Sequence, residues 1–125
     1  MFINKNKLFN SIPEAQKVQI NMILRKKECK KDDVIWDIGE SPAFCFFVYQ
    51  GKFEYEAPGL EEGHKLELGN FVGDFKALTK GGLTTTKATA LEDSVILIII
   101  KEDLSSFLIR NPGLFLLIRD KFIIT

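Results

Sequence analysis

Short apolar stretches separated by glycine-containing turns occupy the middle of the chain, from about residue 28 to residue 100. Phe53–Ala57 alternates apolar and charged residues with period two, whereas Ala43–Gln50 is almost entirely apolar, as in a strand buried on both faces. Further strands are predicted at Val34–Ile38, His64–Leu68 and Ser94–Ile100. Short strands at close spacing predict a mainly β fold, an antiparallel jelly-roll (double-stranded β-helix) barrel or sandwich with flanking helices.

The N-terminal segment is predicted to form a helix over about residues 11–25. Ser11, Pro13 and Glu14 fit a capping box with Ser11 as the N-cap residue. Apolar residues then recur near helical spacing, and we expect this stripe to pack against the β-core. The stripe consists of Ala15, Val18, Met22 and Ile23. The basic run Arg25–Lys31 is interpreted as a solvated helix end followed by a loop.

The C-terminal part, about residues 101–124, is predicted to be helical. Lys101–Arg110 places three apolar side chains on one helix face, and Asn111 with Pro112 is expected to cap and begin a final helix. The predicted core residues of these helices are Leu104, Phe107 and Leu108, followed by Leu114, Leu117, Ile118 and Phe122. We therefore expect one domain over residues 1–125, with the barrel between the N-terminal helix and the C-terminal helices.

Composition narrows the classes of function. The chain has 125 residues, of which 46% are hydrophobic, and Lys plus Arg and Asp plus Glu both number 17, giving no formal net charge. A neutral domain lacks the positive field that phosphate backbones require, which disfavours direct nucleic-acid binding. No apolar run approaches the roughly 20 residues of a membrane span, and no signal peptide is recognisable. Cys29 and Cys45 show no metal-site spacing and are expected to be free core thiols in a reducing, cytoplasmic compartment.

The candidate chemistry lies in the segment Phe71–Ala90. A glycine at a strand end followed by a helix start leaves backbone N–H groups unpaired, and such groups suit an anion. Asp74 fits two roles, as an acceptor for a sugar hydroxyl or as a residue that complements the helix dipole. The threonines 84–86, which follow the loop at Gly81 and Gly82, are expected to face back across it with their hydroxyls.

This segment resembles the phosphate-binding cassette of the cyclic-nucleotide-binding domain family. Val72-Gly-Asp-Phe-Lys-Ala-Leu78 is similar to the family pattern F-G-E-x-A-L, with Asp in place of Glu. Val34-Ile-Trp-Asp-Ile-Gly-Glu40 and Phe47-Val-Tyr-Gln-Gly-Lys-Phe-Glu-Tyr55 resemble two further strand–turn patterns of the family. With the helices, the resemblance covers about residues 8–124.

The resemblance implies a regulatory module, not an enzyme, that binds a small anionic ligand such as cAMP or cGMP. It further implies that the C-terminal helices move over the ligand and act on a fused or separate effector domain. The residues themselves predict no metal or other cofactor. The ligand-binding residues that it implies are Val72, Gly73, Asp74, Phe75, Lys76, Ala77, Thr84, Thr85 and Thr86.

One departure from the family pattern bears directly on binding. The arginine that grips the cyclic phosphate is expected near Thr84, but no arginine occurs from Lys26 to Ile109. Losing a buried charge partner costs about 2–5 kcal/mol, which shifts a micromolar site towards high-micromolar or millimolar affinity. Three lysines within the segment are weaker substitutes or solvated side chains. They are Lys76, Lys80 and Lys87.

Two other functions remain open at this stage. A degenerate domain that binds no nucleotide would serve as an interaction scaffold or would form a homodimer through its C-terminal helices. A sensor of a different ligand would bind another nucleotide or a haem-bound gas. A haem would need an axial ligand, and His64 is the chain's one histidine. A lone strand histidine is more commonly an ordinary surface residue. The sequence contains no recognisable catalytic set.

Overall fold

Two antiparallel sheets with helices at both ends of the chain form the fold, which confirms the predicted mainly β architecture. The computed structural model describes residues 10–57, 64–66, 71–120 and 122. Each sheet has four strands, in the orders β1-β8-β3-β6 and β2-β7-β4-β5. The strands are Arg25–Cys29 (β1), Val34–Trp36 (β2), Phe44–Gln50 (β3), Phe53–Glu56 (β4), His64–Leu66 (β5), Phe71–Val72 (β6), Lys87–Ala90 (β7) and Ser94–Ile100 (β8).

The helices frame this β structure. Glu14–Ile23 (α1) precedes the sheets, Phe75–Lys80 (α2) lies between β6 and β7, and Lys101–Arg110 (α3) follows β8 directly. A 3-10 turn, Pro112–Leu114, then leads into Phe115–Arg119 (α4). The prediction of a single domain over residues 1–125 stays a prediction.

The continuous apolar run of β8 follows from burial on both of its faces. Ile96 belongs to the core between the two sheets, whereas Leu97 belongs to the core between the first sheet and the helices. Phe46 and Phe47 of the neighbouring strand β3 divide in the same way, and all four side chains are at most 1% exposed. A central strand between two cores has no face left for polar side chains.

The N-terminal helix differs from its prediction. It begins at Glu14 with Pro13 in the N-cap position and with no side-chain cap, so the predicted capping box at Ser11 was wrong. Because Pro13 occupies the cap, Ser11 lies too far back to satisfy a first-turn amide.

The predicted apolar stripe of α1 was wrong for three of its four residues. Ala15, Val18 and Met22 are exposed, Met22 to 79%, whereas Ile23 is partly buried against the core. The buried residues of this segment are Ile12 and Ile20. Amide hydrogen bonds help to set this orientation, since Nδ2 of Asn111 donates to Oε1 of Gln19 at 2.9 Å. The helix therefore presents a mixed polar and apolar face to the end of α3.

The basic segment after α1 is the edge strand β1, not the helix end and loop that its composition suggested. Arg25 lies opposite Ile98 and Cys29 lies opposite Ser94 in the pairing with β8. Four of its five side chains are exposed and only Cys29 is buried. Lysine-rich edges discourage pairing with other chains, which explains a strand with so few apolar residues.

The C-terminal helices agree with their prediction in α3, whose bounds are as expected and whose Leu104, Phe107 and Leu108 are buried. Asn111 was expected to cap the final helix, but its side chain makes no cap bond. Its Nδ2 donates instead to the Phe107 carbonyl at 2.9 Å, which closes the end of α3. The last helix ends at Arg119, earlier than expected.

Cys29 and Cys45 are free and buried, as predicted. Burial raises the pKa of both thiols, although the charge of Lys27 opposes the rise at Cys29. No helix in the described residues is long and apolar enough to cross a membrane. In the same part of the chain, no group of three or more histidine, cysteine or acidic residues is placed to hold a metal ion.

Candidate functional site

The candidate site is the cassette formed by β6, α2, the glycine loop and β7. Asp74 is the N-cap residue of α2, and its Oδ1 accepts a hydrogen bond from the backbone N–H of Ala77 at 3.2 Å. Its Oδ2 accepts a hydrogen bond from the hydroxyl of Thr85 at 3.0 Å. The side chain is 7% exposed. Asp74 therefore stabilises the start of α2 and also fastens the cassette to the segment that leads into β7.

The three threonines of the segment have different surroundings. Thr84 is buried, and its hydroxyl donates to the carbonyl of Asp37 at 2.6 Å and accepts from the N–H of Glu40 at 3.0 Å. The hydroxyl of Thr86 accepts from the indole N–H of Trp36 at 3.3 Å. Thr85 is therefore the threonine that the structure brings to Asp74, because alternate residues of an extended segment point to opposite sides.

Gly73 sits where the chain passes from β6 into α2. A Cβ atom at this position would lie 2.8 Å from Cβ of Cys45 and 2.8 Å from Cε1 of Phe122. Val72 beside it is fully buried and pairs with Phe46 of β3. The glycine therefore allows the cassette to lie close against both β3 and the C-terminal segment.

Phe75 connects the cassette to the C-terminal helices. Its ring lies 5.2 Å from that of Phe115 and 4.9 Å from that of Phe122, both in edge-to-face geometry. Its side chain is 2% exposed, and the adjoining Ala77 and Leu78 are buried as well. The assignment of Phe75 to the ligand-binding residues stays a prediction, and the ring contacts described for Phe75 are with Phe115 and Phe122.

The candidate lysines lie at two places. Lys76 and Lys80 line a cleft between α2 and α4, to which Arg119 also contributes. Lys87 begins β7 and lies opposite Glu56 in the register of the sheet. Sequence reasoning missed Arg119, because no local pattern indicates that a residue so far along the chain meets α2.

His64, considered above as a haem ligand, begins β5 and pairs with Tyr55 in the backbone register. Its side chain lies outside the described residues, so the haem hypothesis is untested.

The two arginines other than Arg119 have partners within the described residues. Nη2 of Arg25 lies 3.7 Å from Oδ2 of Asp103, and Nε of Arg110 donates a hydrogen bond to the Ser106 carbonyl.

Comparison with known proteins identifies the cassette's family. The family model described as cyclic nucleotide-binding domain matches residues 26–111, which include all of the cassette. The cGMP-dependent 3′,5′-cGMP phosphodiesterase A of Dictyostelium discoideum is 33% identical over 111 residues. That match covers 87% of this chain but 13% of the relative, so the chain spans a small part of that protein's length.

Solved structures agree with the fold. A structure titled Sp-2Cl-cAMPS bound to PKAR CBD2 superposes with a TM-score of 0.80 at 12% identity, covering 95% of this chain and 78% of the other. The Thermus thermophilus catabolite activator protein superposes with a TM-score of 0.76 at 20% identity, covering 90% and 55%. At such identities these likenesses establish the jelly-roll fold alone. Because the family model covers more than two thirds of the sequence, this chain belongs to the cyclic nucleotide-binding domain family.

Proposed function

We propose that this chain is a regulatory, non-catalytic module that binds a cyclic nucleotide in the cassette. The observation that carries the proposal is the family match, which spans the whole cassette, including Asp74 and Thr85. A ribose hydroxyl is chemically equivalent to the Thr85 hydroxyl as a donor to Asp74. Thr85 is exposed, so its hydroxyl is free to rotate away when a ligand hydroxyl replaces it. The name of the Dictyostelium relative supports cyclic GMP as the nucleotide to test first.

The cyclic phosphate would be held mainly by neutral donors. At the start of α2, the first-turn backbone N–H groups of Phe75 and Lys76 have no intrahelical acceptor, whereas the Asp74 carboxylate accepts from that of Ala77. These amides and the Thr85 hydroxyl are the available donors, and no arginine of the cassette adds a charge. The missing charge partner weakens binding by about 1.5 to 3.5 orders of magnitude, and we therefore propose a weak site.

We further propose that binding is transmitted to α4 through Phe75. The Phe75 ring contacts Phe115 and Phe122, so a shift of α2 displaces the C-terminal segment unless these rings separate. The ligand controls this movement only if it binds the two arrangements of the helices with different affinity. The effector, fused or separate, is outside this chain in the proposal.

The test is a titration of the isotope-labelled chain with cyclic GMP and with cyclic AMP, in which amide NMR spectra are recorded at each ligand concentration. We expect saturable shifts at residues 72–77 and 84–86, accompanied by shifts in α4. Guanosine serves as the control that lacks phosphate. A folded sample that shows no shifts at millimolar concentrations of either cyclic nucleotide would refute ligand binding, whereas cassette shifts without any response in α4 would refute the coupling.

The second candidate is a domain that keeps the fold but acts as an interaction or dimerisation scaffold. It is favoured by the internal bonding of the site, since both oxygens of Asp74 and the hydroxyls of Thr84 and Thr86 have partners within the chain. A ligand then finds few side chains that are not already bonded. Sedimentation over a range of concentrations tests this candidate, which predicts self-association that cyclic nucleotides leave unchanged.

A further inference from the structure

We propose that the cleft between α2 and α4 is a second binding site for a small organic dianion that carries an aromatic group. It is distinct from the proposed cyclic-nucleotide site at Asp74 and Thr85. This goes beyond the proposed cyclic-nucleotide function and does not depend on it. The cleft has a volume of about 340 Å³, which is within the usual range of small-molecule sites, roughly 300–1,000 Å³. It is lined by Phe75, Lys76, Thr79 and Lys80 from the α2 side and by Phe115, Arg119 and Asp120 from the α4 side.

The charges of the lining favour a ligand with two negative charges. Among the described residues that line the cleft, Lys76, Lys80 and Arg119 carry positive charges and Asp120 carries the one negative charge, a formal excess of two positive charges. The Asp120 carboxylate is already paired with its neighbour, since its Oδ1 lies 3.3 Å from Nη2 of Arg119. Neither lysine has an ion-pair partner within the described part of the chain. Both are therefore available to an anion.

The position of the two lysines on α2 is not explained by helix stability. Lys76 and Lys80 are four residues apart, so their like charges lie on one helix face and destabilise the helix by about 0.2–0.5 kcal/mol. Lys76 also stands in the first turn, where the helix dipole disfavours a cation, although Lys80 in the last turn is favoured. An anion bound between the two side chains removes their repulsion.

The aromatic part of the ligand is indicated by Phe115. This ring is half-buried and meets the Phe75 ring edge-to-face at 5.2 Å, so it presents apolar surface beside the lysines. A phosphate monoester carries about −1.5 to −2 charges at neutral pH, whereas a cyclic phosphodiester carries one. A nucleoside 5′-monophosphate therefore fits the cleft's charge better than a cyclic nucleotide does, with the base placed on Phe115.

The probe for the test is 5′-AMP, titrated into the isotope-labelled chain, with adenosine and inorganic phosphate as partial ligands. We expect saturable amide shifts in α2 and α4 with 5′-AMP, weaker ones with phosphate and none with adenosine. The double variant Lys76→Ala/Lys80→Ala should bind 5′-AMP at least tenfold more weakly, because two charge-assisted contacts are lost. The matched control is Lys30→Ala/Lys31→Ala, which removes the same charge from an exposed turn and should bind like the wild type.

Three outcomes would overturn the second site. They are the absence of cleft shifts with 5′-AMP, equal binding by the lysine double variant and its control, and equal affinity for phosphate and 5′-AMP. The result is separable from the cyclic-nucleotide proposal through Asp74→Asn, which keeps the cap of α2 but replaces the acceptor Oδ2 by an amide nitrogen that cannot accept a ribose hydroxyl. This variant should impair binding of cyclic GMP and leave binding of 5′-AMP intact, and loss of both ligands in the folded variant would contradict two distinct sites.

Discussion

The hydroxyl of Thr85 donates a hydrogen bond of 3.0 Å to Oδ2 of Asp74, across the glycine loop that separates α2 from β7. The other oxygen of the same carboxylate caps α2 through the N–H of Ala77. One side chain thus holds both the start of the helix and the segment that returns to the sheet. The cassette is thus held closed by hydrogen bonds within the chain.

Asp74→Ala should lower the free energy of unfolding by about 1–2 kcal/mol, since an N-cap bond and the bond to Thr85 are both lost. Asp74→Asn should lower the free energy of unfolding by only a few tenths of a kcal/mol, roughly, because asparagine caps helices about as well as aspartate. Urea unfolding of both variants measures the difference. Asp103→Ala is the control, since it removes a partly exposed ion pair worth about 0–1 kcal/mol. Equal losses for alanine and asparagine at position 74 would contradict the capping role.

Gly73→Ala should destabilise the fold by about 1–3 kcal/mol, because its Cβ would lie 2.8 Å from both Cys45 and Phe122. Gly113→Ala makes the same chemical change where nothing lies within 4 Å of the new atom, and it should stay within about 0.5 kcal/mol of the wild type. Thermal unfolding of the two variants provides the comparison. Similar midpoints would show that β6 and the C-terminal segment are not in close contact.

Phe122→Ala should lower the free energy of unfolding by about 3–5 kcal/mol, since this ring is 5% exposed and packs on Phe75. Leu116→Ala, at a position that is 58% exposed in the same C-terminal region, should change it by less than about 0.5 kcal/mol. Denaturant unfolding distinguishes the two. A small effect at Phe122 would mean that this ring does not contribute to the core, and it would remove Phe122 from the proposed route, which would then depend on Phe115 alone.

The buried thiols predict a loss of stability at alkaline pH. Burial raises the pKa of Cys45 and Cys29 above the ordinary value, so each thiol of the folded chain loses its proton at a higher pH than in the unfolded chain, where the pKa is about 8.5. Unfolding then releases protons, and the free energy of unfolding falls as pH rises past that point. Urea unfolding at neutral and alkaline pH should show a smaller fall for Cys45→Ala than for the wild type. An equal fall in both would exclude the Cys45 thiol as the source.

The parts of the fold that could be read from the sequence are those with local patterns. Ser94–Ile100 and Lys101–Arg110 have the bounds that their apolar runs and helical spacing predicted. Arg25–Cys29 could not be recognised as a strand from its sequence. This edge strand is formed through backbone pairing with β8 and needs few apolar side chains of its own. The orientation of α1 likewise depends on Asn111, a partner more than 90 residues away.

The cassette could be located from the sequence but its internal bonding could not. The Val72–Leu78 pattern and the glycine loop are local, whereas the choice among the three threonines depends on where the extended segment meets Asp37 and Glu40. A shift of one residue exchanges the buried and exposed sides of such a segment. The contacts of Phe75 with the C-terminal rings depend on packing between distant elements and have no sequence signal.

The most direct test of the account is to restore the missing arginine at two neighbouring positions and measure cyclic GMP affinity by calorimetry. Thr85→Arg places a guanidinium at the exposed position beside Asp74. It should raise the affinity for cyclic GMP at least tenfold, because a charge-assisted contact with the phosphate is gained. Thr84→Arg should give no gain and should lower the melting temperature, because Thr84 is 4% exposed and bonded to Asp37 and Glu40. A folded Thr85→Arg variant with unchanged affinity, or a gain at Thr84 instead, would contradict the account.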